Sequence, residues 1–451
     1  MRRALTGLAA ALLLAAAADV GGAATNDGAP RPVSRVPDAK DTATTSYDVG
    51  GVRVIHRRVT ANDVVAANLY LLGGTQQITA ATAGIEPFLL ESSERGTARY
   101  PRGTLRARMA RLGSVVVIEP TEDWTMIGAR STTDGFDSTF AILADRVMAP
   151  TLDSAEVELV RGQYLSAVRQ RRDSPDALVE YLADSVAFAG HPYGLTPTGT
   201  ERSIAALTPT ELKRYQREQM VTSRMLLVVV GNVERARVER LVRQTLARLP
   251  QGSYRWSPPP PLPAHAAGIV TVSRSLPTNY VLGYFNGPPA TSADYQALRV
   301  TTAALGGRLF AEVRSRRNLT YAINAPFVER AVSAGGLYVT TVAPDTTLAL
   351  MRHEVERLKT ETVDPDGLER LVAQFITEYF LNNETNSDQA TFLARAQLYR
   401  GDYRAADTFV DELRKVTPDD VRRVAQRYMT NVAFVYLGDP SKVTVTRAKG
   451  F

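Results

Sequence analysis

Thr208-Pro209-Thr210-Glu211-Leu212-Lys213-Arg214-Tyr215-Gln216-Arg217-Glu218-Gln219-Met220 is followed by the apolar run Met225 to Val230 and then by Gly231-Asn232. The same pattern returns as Thr417-Pro418-Asp419-Asp420-Val421-Arg422-Arg423-Val424-Ala425-Gln426-Arg427-Tyr428-Met429, followed by Val432 to Leu437 and Gly438-Asp439. In each copy the Thr stands where a helix needs an N-cap, and Pro takes the first helical position, where its missing N–H costs nothing. The acid three residues after the Thr completes a capping box. Each copy therefore reads as a capped helix, a short turn, a β-strand and a turn. From Pro209 to Pro418 the offset is 209 residues, which divides the chain nearly in half. An internal repeat of this length predicts two domains of one plan.

Between the copies lies Trp256-Ser257-Pro258-Pro259-Pro260-Pro261-Leu262-Pro263, an extended spacer because proline fixes φ and removes backbone donors. The expected organisation is a first domain over residues 46–250, a Pro-rich linker over 251–265 and a second domain over 266–451. Alternation predicts strands over Val52 to Val59 and Val64 to Leu72, then helices over Ala80 to Ser93 and Thr104 to Leu112. Strands over Val115 to Glu119 and Thr125 to Ser131 follow. Long helices come next, over Ser138 to Met148, Ser154 to Gln170 and Ala177 to Phe188. Val238, Leu241, Val242, Leu246 and Leu249 recur at helical spacing and predict one more amphipathic helix. The second half repeats the plan from Gly268. The fold class is α+β: two homologous α/β sandwich domains, each an antiparallel sheet backed by helices.

Composition narrows the function classes. The chain has 451 residues, an apolar fraction of 44% and a formal net charge of +6. Its basic residues are mixed with Asp and Glu and form no stripe interleaved with stacking aromatics, which argues against a nucleic-acid partner. With no Cys there are no disulfides, thiolate metal sites, cysteine nucleophile or lipidated N-terminal Cys. Met1-Arg2-Arg3, the apolar run Ala4 to Ala18 and small residues through Ala24 read as a cleaved secretory signal over 1–24. That run is shorter than the roughly 20 apolar residues a membrane span needs. An uncleaved anchor is the alternative reading. Residues 25–45 read as a flexible leader, and the mature protein is expected to be secreted or periplasmic with no membrane span.

The stretch Gly84-Ile85-Glu86-Pro87-Phe88-Leu89-Leu90-Glu91-Ser92-Ser93-Glu94-Arg95-Gly96-Thr97 resembles the zinc-binding helix of the insulinase/pitrilysin metallopeptidases, the family of the mitochondrial processing peptidase. That motif runs Gly-Leu-x-His-x-x-Glu-His, with Gly-Thr downstream. In register, the first His ligand falls on Pro87, the catalytic Glu on Leu90 and the second His on Glu91. The family's third ligand, a Glu in a later helix, maps to about Ala167 in Tyr164-Leu165-Ser166-Ala167-Val168-Arg169-Gln170-Arg171-Arg172. A helical zinc site needs two imidazoles one turn apart, a third ligand and a carboxylate that activates water. The four histidines, His56, His191, His265 and His353, include no such pair. Glu91, Glu94 and a distant His would make an oxygen-rich set ill suited to zinc. No cofactor is therefore expected in this chain.

The resemblance spans about residues 46 to 440. His191-Pro192-Tyr193-Gly194 with Gly199-Thr200 looks like a further family segment, in which His191 reads as structural. In the second half, Leu305-Gly306-Gly307-Arg308-Leu309-Phe310-Ala311-Glu312-Val313-Arg314-Ser315-Arg316-Arg317-Asn318-Leu319-Thr320-Tyr321 matches the family's Gly-rich loop, its helix with Leu-Phe and Arg, and its Leu-x-Tyr. Arg314 is expected on a helix and Tyr321 on the strand that follows. In the family, an Arg and a Tyr so spaced face the zinc across the chamber, bind the substrate backbone and stabilise the tetrahedral intermediate. By residue type alone they read equally as a solvated arginine and an ordinary strand aromatic. A lost zinc motif with a kept Arg/Tyr pair implies the non-catalytic, substrate-binding subunit of a peptidase. Its partner would be a related subunit that brings the zinc, and its substrates peptides. The alternative is a scaffolding member of the family with no role in proteolysis.

Overall fold

The computed structural model describes residues 44–451. The expected signal over 1–24 and most of the leader lie outside the described residues. The leader's last two residues, Thr44 and Thr45, belong to the first strand. The first half comprises β1 (Thr44–Val49), β2 (Val52–Arg58), β3 (Val64–Leu72), α1 (Ile85–Ser93), α2 (Arg102–Arg111), β4 (Val115–Pro120) and β5 (Trp124–Thr132). It continues with α3 (Phe136–Met148), α4 (Ser154–Asp173), α5 (Pro175–Ala187), α6 (Glu201–Ala206), α7 (Pro209–Gln219), β6 (Met225–Gly231) and α8 (Arg235–Gln244). The second half comprises β7 (Gly268–Ser273), β8 (Asn279–Pro289), α9 (Asp294–Leu309), β9 (Ile323–Asn324), β10 (Phe327–Val328) and β11 (Val332–Thr341). After these come α10 (Pro344–Thr360), α11 (Pro365–Asn382), α12 (Asn386–Arg400), α13 (Phe409–Arg414), α14 (Pro418–Tyr428) and β12 (Ala433–Gly438).

The first sheet has the order β1-β2-β6-β3-β5-β4, and the second runs β10-β11-β8-β12-β7 with β9 beside β11. Apart from the additional β1 and the small β9, one order is the other repeated. The sheets are mixed, not antiparallel as the sequence suggested, because β6 runs parallel to β2 and β12 parallel to β7. Each of these strands arrives after a helix, α7 or α14, and a helical crossover permits the parallel neighbour that a hairpin forbids. The two capping boxes are symmetric in detail. The Thr208 N–H donates to Glu211 Oε2 at 2.8 Å and the Glu211 N–H returns to Thr208 Oγ1 at 3.2 Å. Thr417 and Asp420 repeat the exchange at 3.1 and 3.2 Å.

Helix α1 starts at Ile85 and not near Ala80 because Gly84, at φ 84°, turns the chain into it. A Cβ there would also lie 2.7 Å from Ile204 Cδ1 and 2.9 Å from Gly199 Cα. The apolar spacing from Val238 to Leu249 spans a break: α8 ends at Gln244, and a single 3-10 turn, Leu246–Arg248, continues its buried face. Gly306 and Gly307, expected in a loop, lie inside α9.

Every residue of β6 and of β12 is buried. This explains why both read as continuous apolar runs: each strand is covered on both faces. On one face, Leu227 and Val229 join a core with Phe88, Phe140, Leu212 and Val238 of their own half. On the other face Leu226, Val228 and Val230 pack against Ala390, Leu393, Ala394 and Leu398 of α12, from the second half. The exchange is reciprocal. Val435 and Leu437 of β12 pack against Leu178, Val179 and Ala183 of α5, from the first half.

Where these two packings meet, Asp123 is buried at the turn between β4 and β5. It accepts from Tyr193 Oη at 2.6 Å, Tyr399 Oη at 2.8 Å and the Ala331 N–H at 3.0 Å. Burial pushes its carboxyl up from the ordinary value, against the pull of those donors. Beside it Arg330 bridges Glu122 at 3.0 Å and Asp184 of α5 at 3.1 Å. Asp123→Ala takes the acceptor from two buried hydroxyls and from a buried N–H, and is expected to cost about 3 kcal/mol by urea denaturation. The variant should still unfold in one transition read by fluorescence and circular dichroism.

A second buried-side network sets the acid limit. Glu329 is bound by Arg299 and, at 2.7 Å, by Arg395 of α12. Burial alone would raise its carboxyl, but the two guanidiniums outweigh it and pull it from 4.5 down to about 2. A carboxyl held lower in the folded state than in the unfolded one stabilises the fold above the unfolded value, and this is lost as the proton returns. Stability should therefore fall as pH drops from about 4.5 towards about 2. Glu329→Gln should flatten that limb of a denaturation series.

Candidate functional site

Helix α1 is held where the resemblance requires it, but for packing. Pro87 and Leu90 are buried, and Leu90 belongs to the first half's core. The ring of Phe88 meets that of Tyr164 on α4 with centroids 5.8 Å apart, and the Arg161 guanidinium covers Phe88 at 5.3 Å. Ala167 is half-buried on α4. At the helix C-terminus, Arg146 of α3 donates from Nη2 to the Leu90 carbonyl at 2.9 Å and from Nε to Ser93 Oγ at 3.0 Å. A buried cation thus closes one free carbonyl of the helix end.

Among the mapped positions Pro87, Leu90, Glu91 and Ala167, Glu91 is the one acid. Burial raises its carboxyl, and Glu94 adds to this while Arg146 opposes it. Glu94 itself lies 3.5 Å from Arg106. Among the described residues no three His, Asp or Glu side chains converge as a metal would need. Two of the four histidines are hydrogen-bonded elsewhere: His56 Nε2 meets the Val233 carbonyl at 3.0 Å. His191 Nδ1 accepts from the Tyr193 N–H at 3.1 Å, so its Nε2 is the donor to the Pro260 carbonyl at 3.0 Å. His353 is exposed on α10. The residues present do not fit zinc. Sequence reasoning missed Arg146 and Tyr164, the groups that occupy the frame. An arginine amid Phe140, Ile142, Leu143, Ala144 and Val147 was the available signal.

Arg314 and Tyr321 sit at the far end of α9. The helix widens into a π-helical turn over Phe310–Ser315, a local geometry frequent at functional positions. Arg314 is half-buried and lies over the Phe310 ring at 4.9 Å. Its neighbours are engaged: Arg316 and Arg317 bind Glu312, and Arg308 lies 3.7 Å from Glu361. Arg314 makes no ion pair with any described residue.

Tyr321 is not on a strand. It occupies a loop two residues ahead of β9, and is 89% exposed. The backbone on either side is fixed, which makes the exposure a property of the fold. Thr320 is buried, and its hydroxyl bonds the Ala322 carbonyl at 2.8 Å and the Thr340 carbonyl; the Thr340 N–H returns to Ala322 at 2.9 Å. Asn318, at φ 51°, turns the chain out of the helix. No hydrogen bond joins the two side chains. What the segment offers is a free guanidinium and a free phenol, both hydrogen-bond donors suited to a developing oxyanion.

Comparison with known proteins places similar chains beside this one. The family profile described as the peptidase M16 inactive domain matches residues 206–375. An uncharacterised zinc protease of Streptomyces coelicolor is 23% identical over 84% of this chain and 85% of its own length. The mitochondrial-processing peptidase subunit beta of Blastocladiella emersonii is 24% identical over 82% of this chain and 83% of its own. A protease from Helicobacter pylori superposes with a TM-score of 0.80 at 18% identity, covering 88% of this chain and 99% of that one. No helix among the described residues is long and apolar enough to cross a membrane. Taken with the duplicated mixed sheets, these matches make the chain similar over most of its length to peptidase M16 proteins, and residues 206–375 match the inactive-domain profile of that family.

Proposed function

We propose that this chain is the non-catalytic, substrate-binding subunit of a secreted or periplasmic zinc metallopeptidase. It would supply Arg314 and Tyr321 to a zinc site carried by a related subunit. The observation that supports this reading is the contrast between the two places. The α1 frame is filled by Leu90, Tyr164 and Arg146, whereas the side chains of Arg314, at the π-helical turn, and Tyr321, on a loop pinned by Thr320, have no hydrogen bond or ion pair with any described residue. The partner's metal would activate water and polarise the scissile carbonyl. Arg314 would hold the substrate backbone, and the Tyr321 hydroxyl would donate to the oxygen as it gains charge. The compartment rests on the sequence from Met1 to Ala24.

Alone and after dialysis, the chain is expected to hold no stoichiometric zinc by metal analysis and to cleave no unstructured peptide. One zinc per chain with chelator-sensitive cleavage would refute the assignment. In a complex reconstituted with a zinc-bearing partner, Arg314→Ala or Tyr321→Phe should lower the maximal rate by roughly 100-fold, on the scale of one lost oxyanion donor. Assembly affinity and melting temperature should stay near wild type. Normal turnover in both variants would instead favour the scaffolding role.

A further inference from the structure

A cavity of about 380 Å³ opens between the C-terminal end of α4, helix α5, the start of α6 and the end of β7, so both halves of the chain line it. Its wall is apolar, built from Val168, Leu178, Leu182 and Val272. Around this wall stand four guanidiniums, Arg171, Arg172, Arg202 and Arg274, against one carboxylate, Glu201. Glu201 is already committed to Arg172 at 2.8 Å and to Arg169 at 3.1 Å.

Arg171 is fixed without a counter-charge. It donates to Thr198 Oγ1 at 2.6 Å, Thr196 Oγ1 at 3.1 Å and the Gly199 carbonyl at 2.7 Å, and lies over the Tyr181 ring at 5.0 Å. All four partners are neutral. Burial accordingly lowers its affinity for the proton from the ordinary arginine value. Arg202 and Arg274 stand exposed at the rim, and neither pairs with a described carboxylate. Three cations without carboxylate partners above an apolar floor attract an anion that also carries apolar groups. A nucleic acid would call for cations spread along a groove with open stacking faces. Here they converge on one concavity, and its only aromatic ring is already covered by Arg171.

We propose that this cavity binds an acidic peptide segment, with a carboxylate side chain among Arg171, Arg202 and Arg274 and a neighbouring apolar side chain against Val168, Leu182 and Val272. The helix that presents Val168 and Arg171 also carries Ala167, so the bound segment would lie beside the α1–α4 frame. The proposal deepens the substrate-binding reading and rests on it for the peptide's origin.

The test uses the full chain without any partner. A short fluorescein-labelled peptide of alternating glutamate and leucine is titrated by anisotropy, beside analogues with lysine for glutamate or serine for leucine. The glutamate–leucine peptide should bind in a salt-sensitive way, the serine analogue more weakly and the lysine analogue not at all. Arg202→Glu and Arg274→Glu should each weaken binding about tenfold, a loss typical of one charge-assisted contact. The double charge reversal should bring in the lysine analogue, a gain that a misfolded variant would not show. Equal binding of the lysine analogue to the wild type, unchanged affinity in both variants, or equal and equally sensitive binding of an oligonucleotide would each overturn the proposal. No hydrolysis is read, so failure here leaves the Arg314 and Tyr321 assignment standing, and failure of that assignment leaves this one.

Discussion

Neither sheet can be left with one face in water, and the rest of the molecule follows from that constraint. Leu226, Val228 and Val230 on one side, and Ala433, Val435 and Leu437 on the other, are apolar faces that each half's own helices do not reach. Each is closed by a helix from the opposite half. Burying an aliphatic side chain is worth roughly 1.5–3 kcal/mol, so two such faces outweigh the order required to bring the halves together. The polar groups caught between them must then be paired internally. Asp123 does this for two tyrosines and a backbone N–H, and Arg330 for two acids.

Against this background the α1 frame makes physical sense as structure. A metal helix must keep one face polar and open to its ion. Here that face carries Leu90 into the core, while Arg146 closes the helix end and Phe88 meets Tyr164 at a tilt. Helix position and helix chemistry are separable: Gly84 and the contacts of α1 fix the first, and only the side chains at 87, 90 and 91 fix the second.

Much of this was legible in sequence, for identifiable reasons. Capping boxes are local, so Thr208 and Thr417 announced their helices and the repeat together. Apolar runs such as Met225 to Val230 announced strands. The crossed packing of α5 and α12 was not legible, since periodicity tells how much of a helix is buried and not which sheet buries it. The parallel pairings of β6 and β12 depend on three-dimensional order in the same way. Gly306-Gly307 read as a loop from the family's Gly-rich pattern, but α9 is buried along much of its length and its packing offsets the low helix preference of glycine. Tyr321 was expected on a strand from the family pattern it resembles; the Thr320 hydroxyl instead ties the chain to Thr340 and leaves the tyrosine outward. Arg171, Arg202 and Arg274 come from three distant segments, and only the fold gathers them.

The exchange of helices between halves also orders events on the ribosome. Helix α5 ends at Ala187, whereas β12, the strand it covers, begins at Ala433. More than half the chain must be synthesised after Leu178, Val179 and Ala183 appear and before their sheet exists. The first sheet waits likewise for α12. During translation the nascent first half therefore carries two unmatched apolar surfaces, one on a helix and one on a sheet, of the kind that chaperones shield and that aggregate when left bare. For this chain, late completion of the second half is the step on which its solubility during synthesis turns.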